Sequence, residues 1–133
     1  MTAQTFETPQ GRRIAYHQTH GKGPGIVFLG GFASDMTGSK ATHLEGWCKA
    51  QGRAYLRFDY SGHGQSSGAF ADGCIGDWAE DAQAAITTLT EGPQILIGSS
   101  MGGWGARVVA HRRAEEIAGG VPVAAAREVG EGC

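Results

Sequence analysis

Gln94-Ile95-Leu96-Ile97-Gly98-Ser99-Ser100-Met101-Gly102-Gly103-Trp104 decides how the rest of the chain is read. A short apolar run leads into Gly-x-Ser-x-Gly and then into residues that can start a helix. That order fits a sharp strand-to-helix elbow with a serine hydroxyl exposed at its tip. Such a turn crowds the backbone against neighbouring side chains, and a glycine on either side, Gly98 and Gly102, relieves the crowding. The first N–H groups of the helix then face the serine and favour negative charge there. Ser100 is the candidate nucleophile, and Ser99 takes the variable position of the motif. In a chain with 23 glycines the motif alone competes with a plain Gly/Ser loop, so the upstream segments decide.

The chain has 133 residues, which suits one domain with a real hydrophobic core. Apolar residues make up 41% and charged residues 18%, a globular composition. A formal net charge of −2 supplies no basic field for nucleic acid or acidic membranes, and neither is expected as a partner. Arg12-Arg13 and Arg112-Arg113 read as isolated, solvated pairs. No apolar run approaches the ~18 residues of a membrane span. The start, Met1-Thr2-Ala3-Gln4-Thr5-Phe6-Glu7, lacks the basic and apolar regions of a secretory signal. Cys48, Cys74 and Cys133 are odd in number and have no metal-ligand spacing, which predicts reduced thiols and a cytoplasmic location. No metal or organic cofactor is expected.

Residues 4–8 and 12–18 read as a hairpin around Pro9-Gln10-Gly11. A loop with Gly21, Gly23 and Gly25 leads into Ile26-Val27-Phe28-Leu29, a wholly apolar run expected of a strand buried on both faces. Residues 37–51 place Ala41, Leu44, Trp47 and Cys48 at helical spacing, with Thr37 or Ser39 as N-cap and Gly52 at the C-terminal end. A strand at 54–58 and a glycine-rich loop at 59–68 follow. Ile75, Trp78, Ala82, Ile86 and Leu89 then mark a second amphipathic helix before the elbow strand. Strands alternating with helices imply a mostly parallel α/β sheet with right-handed crossovers.

Gly30-Gly31-Phe32 ends the first buried strand and can supply the other half of an anion pocket. The donors would be the N–H of Phe32 and the N–H of Met101, the residue after the serine. Losing one such pre-aimed donor typically costs ~10²–10³ in rate. With Phe28-Leu29-Gly30-Gly31-Phe32, then Asp59-Tyr60-Ser61-Gly62-His63-Gly64-Gln65-Ser66, then the serine motif, the chain from about residue 25 to 104 resembles the α/β-hydrolase family. Gly31-Phe32-Ala33-Ser34-Asp35-Met36, Arg57-Phe58-Asp59-Tyr60-Ser61-Gly62 and residues 92–104 more particularly resemble its thioesterase and acyl-glucuronide esterase branch and the bacterial relatives of that branch. The resemblance implies the N-terminal part of an α/β-hydrolase fold. It also implies hydrolysis of a small-molecule acyl ester or thioester through an acyl-enzyme on Ser100, with Phe32 and Met101 as the oxyanion hole. The 59–68 loop is then structural, shaping the floor of the site.

His63 precedes Ser100, whereas this fold runs serine, acid, histidine along the chain. His17, His20 and His43 read as ordinary surface histidines, and His111 falls on the elbow's own helix, pointing away from the serine. The 33 residues after Ser100 hold no aspartate, and no histidine follows His111, so the triad acid and base are expected to be missing from this chain. A serine without a base stays a poor nucleophile. From Gly105 to Cys133, 25 of 29 residues are Gly, Ala, Val, Arg or Glu. One single, incomplete hydrolase domain over 1–133 is therefore expected, with an atypical tail at 105–133. A frameshift near Gly105 is one account of the tail; the other is a genuine end in which residues 117–126 form a sixth strand. Truncation after the elbow strand would leave a long apolar sheet edge and invite self-association. The rival to an active esterase is a catalytically silent remnant that binds or pairs.

Overall fold

The computed structural model describes residues 3–31 and 34–99, together with the backbone of 117–123. The elements run β1 (Gln4–Glu7), β2 (Arg13–Thr19), β3 (Lys22–Leu29), α1 (Ser39–Gln51), β4 (Arg53–Phe58), α2 (Ile75–Leu89), β5 (Gln94–Ser99) and β6 (Ile117–Val123), with a 3-10 turn at Phe70–Asp72 before α2. One six-stranded sheet has the order β1-β2-β4-β3-β5-β6. The β1–β2 hairpin and the β2–β4 pair are antiparallel, while β3–β4, β3–β5 and β5–β6 are parallel. This is the mostly parallel α/β sheet expected of the N-terminal part of an α/β-hydrolase.

Period-two alternation along β3 sends its side chains to two cores. Val27 and Leu29 pack with Leu56, Leu96 and the Trp78, Ala82 and Ile86 face of α2. Ile26 and Phe28 pack with Tyr55 and the Ala41 and Cys48 face of α1. The helices thus cover opposite faces of the sheet, as an apolar strand buried on both sides requires. At the end of α1, Gly52 takes φ 68° and its N–H caps Cys48 and Lys49 carbonyls, the left-handed geometry that favours glycine.

Several expectations are corrected. Gly23 and Gly25 belong to β3 rather than to a loop; Gly25 lies against β5, where an added Cβ would come within 2.6 Å of Gln94 Oε1. The N-cap of α1 is Gly38, with no side-chain bond, so neither Thr37 nor Ser39 fills that role. Trp47 is 47% exposed, because at 100° per residue it falls outside the Ala41-Leu44-Cys48 stripe. Arg12 is not a solvated surface residue but the partly buried partner of Asp77, Glu80 and Asp81. Cys48 is a free buried thiol, whereas Cys74 is disulfide-bonded and not reduced.

The tail contributes β6, whose Val121 stands beside Ile97 in the parallel ladder. The β5 edge expected to lie bare is therefore paired. Within the described sheet β6 is the outer strand, and its Pro122 has no N–H to offer a further strand. The rest of the 105–133 segment lies outside the described residues.

Candidate active site

Parallel β3 and β5 deliver their C-terminal ends to the same side of the sheet, where ligands of open α/β folds bind. Leu29 pairs with Gly98, so the residues that follow each strand emerge together. Gly30, Gly31, Ser34, Lys40 and Ser99 line a cavity of about 200 Å³ there. Lys40, in the first turn of α1, reaches across to place Nζ 3.3 Å from Ser99 Oγ. Of the predicted site residues, Gly98 is buried at the end of β5. Ser100, Met101, Gly102 and Phe32 lie outside the described residues, as do Trp104 and His111. The residues bonded directly to two of them, Ser99 before Ser100 and Gly31 before Phe32, share the cavity wall.

The loop leaving β3 is held at both ends by the residues that end β4. Tyr60 donates its hydroxyl to Gly30 O at 3.1 Å. The Met36 N–H donates to Asp59 Oδ1 at 2.7 Å, and Arg57 Nη1 donates to Met36 O at 2.9 Å. Arg57 is itself fixed by Glu45, with Nε on Oε2 at 2.9 Å and Nη2 on Oε1 at 3.2 Å. That charge-assisted fork holds the Glu45 carboxyl below the ordinary glutamate range. Asp35, on the cavity wall, accepts both the N–H and the hydroxyl of Thr37, which lower its pKa.

Asp59 is 2% exposed, and burial raises its pKa above the usual aspartate value, although two backbone N–H groups oppose the shift. Its Oδ2 accepts the second of these, the N–H of Gln65, at 2.9 Å. Gly64, at φ 46°, makes room for the carboxylate: a Cβ there would come within 2.1 Å of Oδ2. Further along this loop, Asp81 Oδ2 accepts the N–H and hydroxyl of Ser61 at 2.9 and 2.7 Å.

His63 is 4% exposed, with Nδ1 3.0 Å from Ser61 O. A carbonyl only accepts, so Nδ1 carries the proton in that bond. The ring packs edge-on against Tyr60, Phe70 and Trp78, and Trp78 Nε1 donates to the same carbonyl at 3.0 Å. This is a packing position in the loop core, consistent with the structural role expected of the 59–68 segment. His17 lies in β2 opposite Arg57, and its pKa is lowered by burial and then by that guanidinium. Among the described residues no cluster of three His, Cys, Asp or Glu is placed to hold a metal ion, and no helix is long and apolar enough to cross a membrane.

Sequence reasoning missed the grip of Arg57, Asp59 and Tyr60 on the β3 loop. The partners lie 21, 23 and 30 residues away, beyond any local pattern. The one available signal was an ionisable Asp set directly after a buried apolar strand.

A model of the family described as serine aminopeptidase, S33 (Hydrolase_4) matches residues 25–132. The chain is 40% identical over 127 residues to the rat (Rattus norvegicus) palmitoyl-protein thioesterase ABHD10, mitochondrial, covering 96% of this chain and 43% of that protein. It is 44% identical over 115 residues to the human (Homo sapiens) protein of the same name, covering 86% and 38%. The chain thus spans less than half the length of these curated relatives. Among solved structures it is similar to mouse alpha/beta hydrolase domain-containing protein 10, with TM-score 0.89, 38% identity and coverage of 92% of this chain and 49% of that one. A putative hydrolase from Agrobacterium vitis S4 superposes with TM-score 0.87 at 36% identity, covering 93% and 52%. These relatives also correct the cytoplasmic expectation: the curated ones are named as mitochondrial proteins. The expectation rested on reduced thiols, whereas Cys74 is disulfide-bonded.

Proposed function

The chain belongs to the serine aminopeptidase S33 (Hydrolase_4) family, and from that premise we propose a serine hydrolase of carboxylic esters or thioesters working through Ser100. The observation that carries the reading is that Gly31 and Ser99 line one cavity where β3 and β5 end. Ser100 Oγ attacks the acyl carbon, and the N–H groups of Phe32 and Met101 hold the oxyanion. The C–O or C–S bond then breaks, the leaving alcohol or thiol takes up the proton that Ser100 gave up, and water cleaves the acyl-enzyme, releasing the acid and restoring the Ser100 hydroxyl. Gly98 and Gly102 are the elbow glycines of this site. An acyl thioester is the favoured substrate class, since the curated relatives are named as palmitoyl-protein thioesterases, and mitochondria are the location those names favour.

The alternative is a silent hydrolase-fold remnant that at most binds or pairs with a partner. Thiol release from an acyl-CoA and phenol release from a p-nitrophenyl acyl ester, measured for the chain and its Ser100→Ala variant, separate the two. Turnover that disappears in Ser100→Ala supports the hydrolase. No turnover in either supports the remnant.

A further inference from the structure

We infer that Asp59 is a positioning residue that holds the Met36 end of the segment following β3; its bearing on the proposed oxyanion donor, Phe32 N–H, rests on the serine-hydrolase reading above. The loop is bracketed by two anchors on one short segment, Tyr60 at Gly30 and Asp59 at Met36. The Asp59 carboxylate also grips the 59–68 loop, through the Gln65 N–H. An ionised carboxylate is suited to this because it is acceptor-only at both oxygens, and each of its oxygens receives a backbone N–H. At 2% exposure Asp59 has almost no contact with solvent, so losing its acceptors leaves the N–H groups poorly compensated. Gly64 belongs to the same device: the second glycine of Gly62-His63-Gly64 admits the carboxylate rather than a substrate.

Asp59→Asn keeps the shape but turns an amide NH₂ toward one of the two donors, so one bond becomes a donor–donor clash. Gly64→Ala attacks the same carboxylate from outside. Ser66→Ala is the structural control. It removes the bonds of Ser66 Oγ to Asp59 O and Ala15 N–H in the same loop, while leaving both carboxylate contacts in place.

The test measures inactivation of Ser100 by a fluorophosphonate, separating the maximal rate from the half-saturating concentration, together with NMR hydrogen exchange at the Met36 amide. Asp59→Asn and Gly64→Ala are expected to lower the maximal rate about 10- to 100-fold, as small displacements of a reacting geometry do. Half-saturation should stay within about twofold, and Met36 should exchange faster. Ser66→Ala should lose stability with the rate within about twofold of the parent.

An unchanged maximal rate in Asp59→Asn, an equal loss in Ser66→Ala, or unchanged exchange at Met36 overturns the inference. If the parent chain is never labelled, the hydrolase reading falls and exchange alone decides the positioning role. Faster exchange at Met36 in Asp59→Asn but not in Ser66→Ala then sustains it, and no difference overturns it.

Discussion

Arg12 donates its Nε–H to Asp81 Oδ1 across 2.8 Å, although the Asp81 side chain has no exposed surface. The other Asp81 oxygen accepts from Ser61, so this carboxylate joins the β1–β2 turn, α2 and the 59–68 loop. Removing one partner of such a pair strands the others without water. Asp81→Ala is expected to lower stability by about 3 kcal/mol, read as a fall in the urea midpoint at unchanged slope. A loss under about 1 kcal/mol would mean that the network is not a fastening.

The pairing of Glu45 with Arg57 gives stability a defined pH dependence. Because the Glu45 pKa is depressed in the folded chain, the contribution is fully present above its unfolded value of about 4.3 and is lost as pH falls through the lower folded value. Glu45→Gln should cost about 1–2 kcal/mol at pH 7 and flatten the acid limb of the stability curve. Parallel acid limbs for the two proteins would refute the assignment.

Two tryptophans that look alike in a helical pattern should behave differently. Trp47 stands out in solvent, while Trp78 is 3% exposed and bonds Ser61 O. Trp47→Ser is expected to change stability by less than about 0.5 kcal/mol. Trp78→Phe should cost about 1–3 kcal/mol, for the lost bond and the space left by the smaller ring. Thermal unfolding of both variants checks the contrast.

Most of the fold was legible because its signals are local. The Ile26–Leu29 run, the Ile75-to-Leu89 stripe and Pro9-Gln10-Gly11 each name an element by period or turn chemistry. Two errors arose where a distant partner decides. Lys22 joins β3 because it pairs with Arg53, and Arg12 is drawn inward by acids more than sixty residues away. The candidate site divides in the same way. Gly98-Ser99 and the Gly30-Gly31 exit, the described parts of the two motifs, meet at the ends of β5 and β3. The clasp of Asp59 on Met36 was not legible, since it exists only once β4 lies beside β3.

The central proposal is a reactive hydroxyl at Ser100, the residue that follows Ser99 of the cavity wall. Its most direct measurement is incubation of the chain with a fluorophosphonate, followed by mass spectrometry of the peptide spanning residues 94–104. The account predicts a single adduct on Ser100, absent from Ser100→Ala and suppressed by prior acylation with an acyl thioester. An adduct on Ser99 instead, or equal labelling of Ser100→Ala, would contradict it.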